Sequence, residues 1–286
     1  MSRNKFDIRT YKKENEICKI VEELGSHILT ETSHTFKTFG SITILEAAKK
    51  SALKYSNKAK EKPAIVLIDI VLAANRNYNK VVEPNIRKIE ENYPELKSIK
   101  DLENLLKRKT KKEFFLFWGH KDEKKYKTLT LLLERIQKLK KVYKEVNSDY
   151  KIINKWAQNA NILEVKKDII GSIPNISIAT VQHLRMNFGI DTVKPDQRVK
   201  EVLETEFDIE KINDLKGILA VEQIASITKY KVIEIDQIFV KFGSGYYNKN
   251  AKLNIKVIAK NLKDLNVPTD IISKATLLTE RQIIQL

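Results

Sequence analysis

One stretch of the chain combines a tight turn with a carboxylate at the start of a helix: SIPNISIATVQHLRMNFGIDTVKPDQRVKEVL, residues 172–203. Pro195 restricts the residue before it to an extended path, so Asp196 is expected at the N-cap position of the following helix. The helix dipole and the free amides there favour its negative charge. If the carboxylate faces a cleft, it can stabilise a developing cation or orient a water molecule. Helix capping alone is the alternative role.

The turn ahead of this acid predicts a helix-hairpin-helix. A periodic apolar pattern runs into KKDIIGS, where Gly171 suits the left-handed position at a helix C-terminus. IPNIS then turns the chain, and IATVQHLRMNF predicts a second helix that ends at Gly189. The amides of such a turn and of the second helix's N-terminus bind phosphate without reading a nucleotide sequence.

The elements that must position these residues are helical. Apolar residues recur near every third or fourth position in most segments, and the few glycines (8) and prolines (6) fall between those segments. Strand-like alternation is weak, and HTFKTFGSITI, residues 34–44, is the one plausible short hairpin. We therefore expect an all-α fold of many short helices.

Chain length and net charge indicate which kind of partner the protein binds. The 286 residues suit one large domain or two lobes around a cleft, and the net charge of +16 creates a field that attracts polyanions such as nucleic acid. Genomic base composition is the alternative source of the lysine excess.

No run reaches the ~18 uncharged apolar residues of a membrane span. The N-terminus MSRNKFDIRTYKK has no apolar stretch typical of a secretory signal, which favours a cytoplasmic location.

The residues that commonly hold metals and phosphates are sparse. Cys18 is the single cysteine, so neither an intrachain disulfide nor a cysteine-ligated cluster is available within one chain. The four histidines show no metal-ligand spacing, and no glycine-rich phosphate loop is present. We expect no metal and no cofactor.

The turn and the acid together resemble the helix-hairpin-helix DNA glycosylase superfamily, which includes endonuclease III and related base-excision enzymes. That family reads roughly LPGVGxxTAxxxL and then VDxHVxRV, and IPNISIATVQHL and KPDQRVKEV match in order and spacing. Two further segments, IVLIDIVLAANRNYNKVVEPNIRKIEENYPELKSIKDLENLL and EIDQIFVKFGSGYY, are similar to the family's early helix pair and its late VDxxLxxxG helix.

This resemblance spans most of residues 63–247 and implies a two-lobed, multi-helix glycosylase-like fold. Residues 63–286 are expected to form the glycosylase-like region, with the hairpin at about 165–189. Residues 1–62 are expected to form a helical segment that packs on this core.

The resemblance also implies roles for single residues. Asp196 matches the catalytic aspartate, which supports loss of a flipped base through a sugar with oxocarbenium character. The turn residues Asn175, Ile176 and Ser177 would hold a DNA phosphate through their amides. Asn75 and Arg76 fall where the family places residues that fill the gap left by the extruded nucleotide. A simple interhelix turn is the alternative for these two residues.

Two departures from the family pattern have consequences. Ala179 stands where bifunctional members carry a lysine, so Schiff-base chemistry and strand cleavage are not expected through this position. Lys194, on the extended segment before Asp196, is expected to point in a different direction. Asn175 and Ser177 replace the turn glycines: asparagine tolerates a positive φ, whereas serine restricts close approach to a phosphate.

Two other side chains have open roles. Trp118, beside Gly119 and a charged loop, is assigned to a base pocket, with burial in the core as the alternative. Asp69 is a lone acid in the apolar run IVLIDIVL, and it is interpreted as a solvent-facing residue or the partner of a buried donor, with a role in the cleft as a further alternative.

The predicted function is a monofunctional DNA glycosylase that acts as a monomer on double-stranded DNA, without a membrane. It would hydrolyse the N-glycosidic bond of a damaged or modified base with Asp196. One alternative is a non-catalytic DNA-binding protein that retains the fold. Another is an all-α protein-interaction domain whose charge aids solubility.

Overall fold

The structure is a computed structural model that describes residues 6–30, 38, 40–245, 247–252, 255–276, 278 and 280–284. Helices dominate these residues, which confirms the prediction of a mainly α-helical chain. None of the described helices combines the length and the apolar character that a membrane crossing requires.

The elements follow one another with short connections. The helices are α1 (Glu14–Ser26), α2 (Ile44–Lys54), α3 (Asn57–Glu61), α4 (Pro63–Ala73), α5 (Glu83–Asn92), α6 (Ile99–Arg108), α7 (Lys111–Trp118), α8 (Glu123–Val142), α9 (Asp149–Asn159), α10 (Ile178–Asn187), α11 (Gln197–Phe207), α12 (Asp214–Thr228), α13 (Val232–Gly243), α14 (Ile255–Asp264), α15 (Thr269–Thr276) and α16 (Glu280–Ile284). Shorter turns of 3-10 helix cover Ile8–Thr10 and Ile162–Lys167, and a π-helical turn covers Tyr78–Val82.

The middle of the chain forms one hydrophobic core, and we call residues 59–188 around it the middle lobe. Helix α4 lies at its centre, because every one of its residues except Asp69 is apolar or proline and all of these are buried. A helix that is apolar on every side needs neighbours on every side. Helices α5, α6, α8 and α10 supply them.

Both ends of this segment are joined to a second core, formed by residues 8–48 and 193–239, which we call the composite lobe. Helix α2 packs against α13, and α1 packs against α2, α12 and α13. The N-terminal segment thus belongs to the same lobe as α11, the helix that Asp196 begins. The domain boundary between residues 62 and 63 stays a prediction.

Strands are few among the described residues. β1 (His27–Leu29) pairs antiparallel with β2 (Tyr247–Lys252), and Ile28 forms an isolated bridge with Thr43. Of the hairpin predicted within residues 34–44, residues 34–37 and 39 lie outside the described residues, and Ile44 already begins α2. Helices α14 to α16 pack on one another around a small third cluster of Ala259, Ile272 and Ile283.

The arm before the hairpin turn differs from the predicted helix. Helix α9 ends at Asn159, and the 3-10 turn over Ile162–Lys167 follows it. The Asn161 side chain accepts a hydrogen bond from the Leu163 amide at 3.1 Å, which starts this new turn. The first arm of the hairpin is therefore a 3-10 turn and not an α-helix.

The two hairpin glycines serve different purposes. Gly189 ends α10 with a φ of +89°, as predicted. Gly171 is not among the residues with positive φ, so its predicted left-handed role is wrong. A Cβ at position 171 would lie 2.2 Å from the Val165 carbonyl oxygen, so a close backbone approach is what requires glycine there.

Candidate functional site

Asp196 begins α11 in the way the sequence predicts. Its backbone is extended (φ −81°, ψ 177°), and its Oδ1 accepts hydrogen bonds from the amides of Arg198 at 3.1 Å and Val199 at 3.2 Å. The other oxygen, Oδ2, faces Lys194, and 29% of the side chain remains exposed. One oxygen is therefore bound by the helix, while the other is paired with Lys194 beside the cleft.

Lys194 overturns the expectation that it points away from Asp196. Its Nζ lies 3.7 Å from Asp196 Oδ2, within ion-pair distance. The Lys194 amide donates to the Asp236 carboxyl Oδ1 at 3.0 Å, which fixes the extended segment against α13. The two side chains can meet because the Asp196 amide also donates to the Lys194 carbonyl at 2.7 Å and bends the chain between them.

Two adjoining cavities open between the middle lobe and the composite lobe. One, of about 510 Å³, is lined by Asp69, Tyr55 and Asp236, and we call it the Asp69 cavity. The other, of about 520 Å³, is lined by Asn175, Ser177 and Ala179, and we call it the hairpin cavity. The walls common to both are Ala73, Arg76, His183, Lys194, Asp196 and Arg198. Asp196 thus lies where the two cavities meet.

The hairpin turn keeps its shape without glycine. Asn175 adopts the left-handed conformation with φ +67°. Ser177 is the N-cap of α10 with φ −94°, and its Oγ accepts the Thr180 amide at 3.2 Å. The second position therefore needs no glycine for its backbone conformation, and its hydroxyl stabilises the helix.

The amides of this turn are unequally available. The Ile176 amide donates to the Ile173 carbonyl at 3.1 Å, so it is occupied within the turn. Among the described residues, no acceptor is found for the amides of Asn175 and Ser177. Of the three predicted phosphate donors, two are thus free to bind a ligand.

Asn75 and Arg76 follow the C-terminus of α4 and lie beside the hairpin turn. Asn75 has a left-handed backbone with φ +55°, and both residues are exposed. Both line the hairpin cavity, and they also line a smaller cavity of about 250 Å³ that contains Lys124 and Lys125. The structure therefore brings Asn75, Arg76, the turn and Asp196 to one cleft.

Trp118 lies elsewhere. It is fully buried in the middle lobe, where it packs edge-on against Phe114 and Tyr126, and its indole N–H donates to the His120 carbonyl. It lines none of the three cavities. The structure places Trp118 in the core and not at the cleft, because neighbouring aromatic rings enclose it.

Helix α13 carries a buried row of hydrogen-bonded polar side chains that was not predicted from the sequence. Asp236 is 1% exposed and accepts a hydrogen bond from Gln237 at 3.0 Å, and Lys241 donates to Gln237 at 2.9 Å. Burial, with the charge of Asp196, raises the pKa of Asp236 to about 7. Burial lowers the pKa of Lys241 to about 8. The signal was present, since Asp236 and Lys241 interrupt the apolar pattern of VIEIDQIFVKFG.

Three more side chains that line the Asp69 cavity have shifted pKa values. Burial raises the pKa of Asp69, although a hydrogen bond from the Tyr78 hydroxyl at 2.9 Å opposes the shift. Burial, together with the carboxylates of Asp236 and Asp69, raises the pKa of Tyr55. Burial and the charge of Lys194 lower the pKa of His183, so its imidazole is neutral at pH 7.

Among the described residues, no group of three or more His, Cys, Asp or Glu side chains is placed to hold a metal ion.

Comparison of the chain with family models, with curated proteins and with solved structures finds no match. The chemistry of the cleft itself is therefore the basis for a functional conclusion.

Proposed function

We propose that the chain is a monofunctional DNA glycosylase that hydrolyses the N-glycosidic bond of a damaged or modified base with Asp196. The observation that carries this proposal is the position of Asp196: its partly exposed carboxylate lines both cavities between the two lobes, and each cavity is large enough for a small ligand. The resemblance of its hairpin and acid to the glycosylase superfamily supports the same activity.

DNA would reach this cleft through its phosphates. Arg76, Lys194 and Arg198 line both cavities, and Lys200 lines the hairpin cavity. Their positive charge suits a polyanionic backbone, and the amides of Asn175 and Ser177 suit one phosphate. Exposed Asn75 and Arg76 lie where they can occupy the stack after a nucleotide leaves it.

The reaction then breaks the C1′–N bond, and its electron pair leaves with the base. Asp196 Oδ2 stabilises the positive charge that develops on the sugar. A water oxygen bonds to C1′, and one of its protons passes to the departing base. Ala179 supplies no amine for a Schiff base, and the Lys194 side chain is engaged by Asp196 Oδ2 at 3.7 Å. Water is therefore the nucleophile, and the DNA strand stays intact.

Substitution of the acid tests the proposal. Asparagine caps helices about as well as aspartate, so Asp196→Asn should preserve α11 while it removes the charge. Purified wild-type protein should release a base from at least one member of a panel of duplexes that carry different lesions. We expect Asp196→Asn to release it at least about 100-fold more slowly and to bind the duplex undiminished.

Asp208→Asn is the matched control, because Asp208 has a 68% exposed side chain and lines none of the cavities. It should release the base at the wild-type rate. Equal rates for Asp196→Asn and the wild type would show that Asp196 has no catalytic role.

A non-catalytic DNA-binding protein is the second candidate, and the partners of Asp196 favour it, because one oxygen caps α11 and the other pairs with Lys194. Salt-dependent binding to duplex DNA, indifferent to lesions and without release of any base, would support this alternative.

A further inference from the structure

Asp69 interrupts the apolar surface of α4. It is the only charged residue of α4, and the other ten residues of that helix are buried and nonpolar. Its side chain lines the Asp69 cavity. An acid in so apolar a setting opposes folding because its charge is removed from water.

The carboxyl group of Asp69 is only half satisfied. Its Oδ2 accepts the Tyr78 hydroxyl at 2.9 Å, whereas its Oδ1 is buried and has no hydrogen-bond partner among the described residues. A buried polar atom without a partner is rare in folded proteins and requires an explanation. By contrast, both oxygens of Asp236, in the same cavity, are hydrogen-bonded within the chain.

The surroundings indicate which kind of group is missing. The cavity also contains Lys58, Arg76, Lys194, Arg198 and Lys241, so its basic side chains outnumber its acidic ones. A cationic ligand is therefore disfavoured. A neutral ligand with N–H donors, in contrast, supplies the hydrogen bond that a carboxylate oxygen lacks.

We propose that the Asp69 cavity binds an extruded nucleobase through its N–H donors, and that Asp69 is the acceptor. This inference rests on the proposed function and names its substrate class. A carboxylate has two oxygens in one plane: Oδ1 of Asp69 has no partner and Oδ2 keeps a second lone pair beside its bond from Tyr78, so the pair can accept two parallel hydrogen bonds. A guanine-type edge, with a ring N–H beside an exocyclic amino group, matches this arrangement. The occupant of the cavity is therefore a base with the guanine-type edge.

Binding to three DNA duplexes tests the assignment. Each carries a single unpaired nucleotide, with guanine, hypoxanthine or 1-methylguanine as its base, so that no base pair opposes extrusion. A 2′-fluorine on this nucleotide withdraws electrons from the sugar and prevents excision during the measurement. Hypoxanthine lacks the amino group, and 1-methylguanine lacks the ring N–H. We expect wild-type protein to bind the guanine duplex about tenfold more tightly than either of the others.

Asp69→Asn keeps the size of the side chain but removes its charge. In this variant the three affinities should converge to within about twofold, while Asp208→Asn, with the same change in charge, keeps the wild-type preference. The melting temperature of Asp69→Asn should equal or exceed that of the wild type, because the variant no longer buries a carboxylate with an unsatisfied oxygen.

Other outcomes overturn the inference. Equal wild-type affinities for the three duplexes, with binding retained, would refute the base assignment and leave the proposed glycosylase intact. A lower melting temperature for Asp69→Asn with an unchanged preference would make Asp69 a structural residue. No binding to any duplex would overturn both the inference and the proposed function.

Discussion

Asp196 and Lys194 show how a capping residue becomes a candidate catalytic group. One oxygen of Asp196 is bound to the amides of Arg198 and Val199, and the other lies 3.7 Å from Lys194 Nζ. The cap fixes the carboxylate in place, and the cleft gives its second oxygen access to a ligand. Asp236, buried behind them, anchors Lys194 through its backbone amide.

The burial of Asp236 should make the stability of the protein depend on pH. Its pKa is about 7 in the folded chain, above its ordinary 3.8. Between these values the folded state holds a proton that the unfolded state has lost, so stability decreases as the pH rises. We expect the free energy of unfolding to fall by on the order of 2–4 kcal/mol from about pH 4 to about pH 7 through this group.

Urea denaturation at several pH values in this window measures the effect. Asp236→Asn cannot ionise there, so its stability relative to the wild type should rise as the pH rises. Asp208→Asn, at an exposed position, serves as the control and should follow the wild-type profile. A constant difference between wild type and Asp236→Asn would show that Asp236 has an ordinary pKa.

The C-terminus of α4 depends on a residue from another helix. Lys125 of α8 is 9% exposed, and its Nζ donates to the carbonyl oxygens of Val71 at 2.8 Å, Leu72 at 3.0 Å and Ala74 at 2.6 Å. The last carbonyls of a helix have no partner within it, and a lysine ammonium can satisfy several at once. Lys125 therefore positions the segment that carries Asn75 and Arg76.

Removal of the Lys125 ammonium should destabilise the C-terminus of α4. Lys125→Met retains much of the apolar stem but leaves three carbonyls without their donor, so we expect a loss of about 2–4 kcal/mol in the free energy of unfolding. Chemical denaturation measures it. Lys124→Met, at the neighbouring exposed position, should change stability by no more than about 0.5 kcal/mol. Equal stabilities of the two variants would contradict the capping role of Lys125.

The whole molecule is arranged so that the two lobes meet at the cleft. Residues 8–48 pack with residues 193–239, while residues 59–188 form the middle lobe. Two crossings of the chain therefore connect the lobes, one on each side of the middle segment. The cleft draws basic residues from both lobes, and the net charge of +16 adds a long-range attraction for polyanions.

The affinity of the protein for DNA should depend strongly on salt concentration. Affinity for duplex DNA should fall steeply between about 50 and 200 mM salt, with a log–log slope of about −0.9 for each phosphate that is neutralised. Arg76→Gln should reduce that slope by about one. Lys274→Gln, on α15, should leave it unchanged, because Lys274 is exposed and lines none of the three cavities.

Much of the local structure could be predicted from the sequence. The cap at Asp196, the positive φ of Asn175 and the end of α10 at Gly189 depend on residues within a few positions of each other. For the same reason, helical periodicity identified most of the helices. Features that require distant contacts did not follow: the packing of residues 8–48 with residues 193–239 is one example.

The sequence by itself determined that the chain is mainly helical and strongly basic. It also determined that Asp196 caps a helix after a tight turn, because short-range sterics and hydrogen bonds decide local structure. Only the tertiary structure decided which side chains share the cleft. It brought Lys194 to Asp196, enclosed Trp118 among aromatic rings and placed Asp69 in a cavity. These outcomes depend on how helices from distant segments pack, since packing sets which face of each helix meets the cleft.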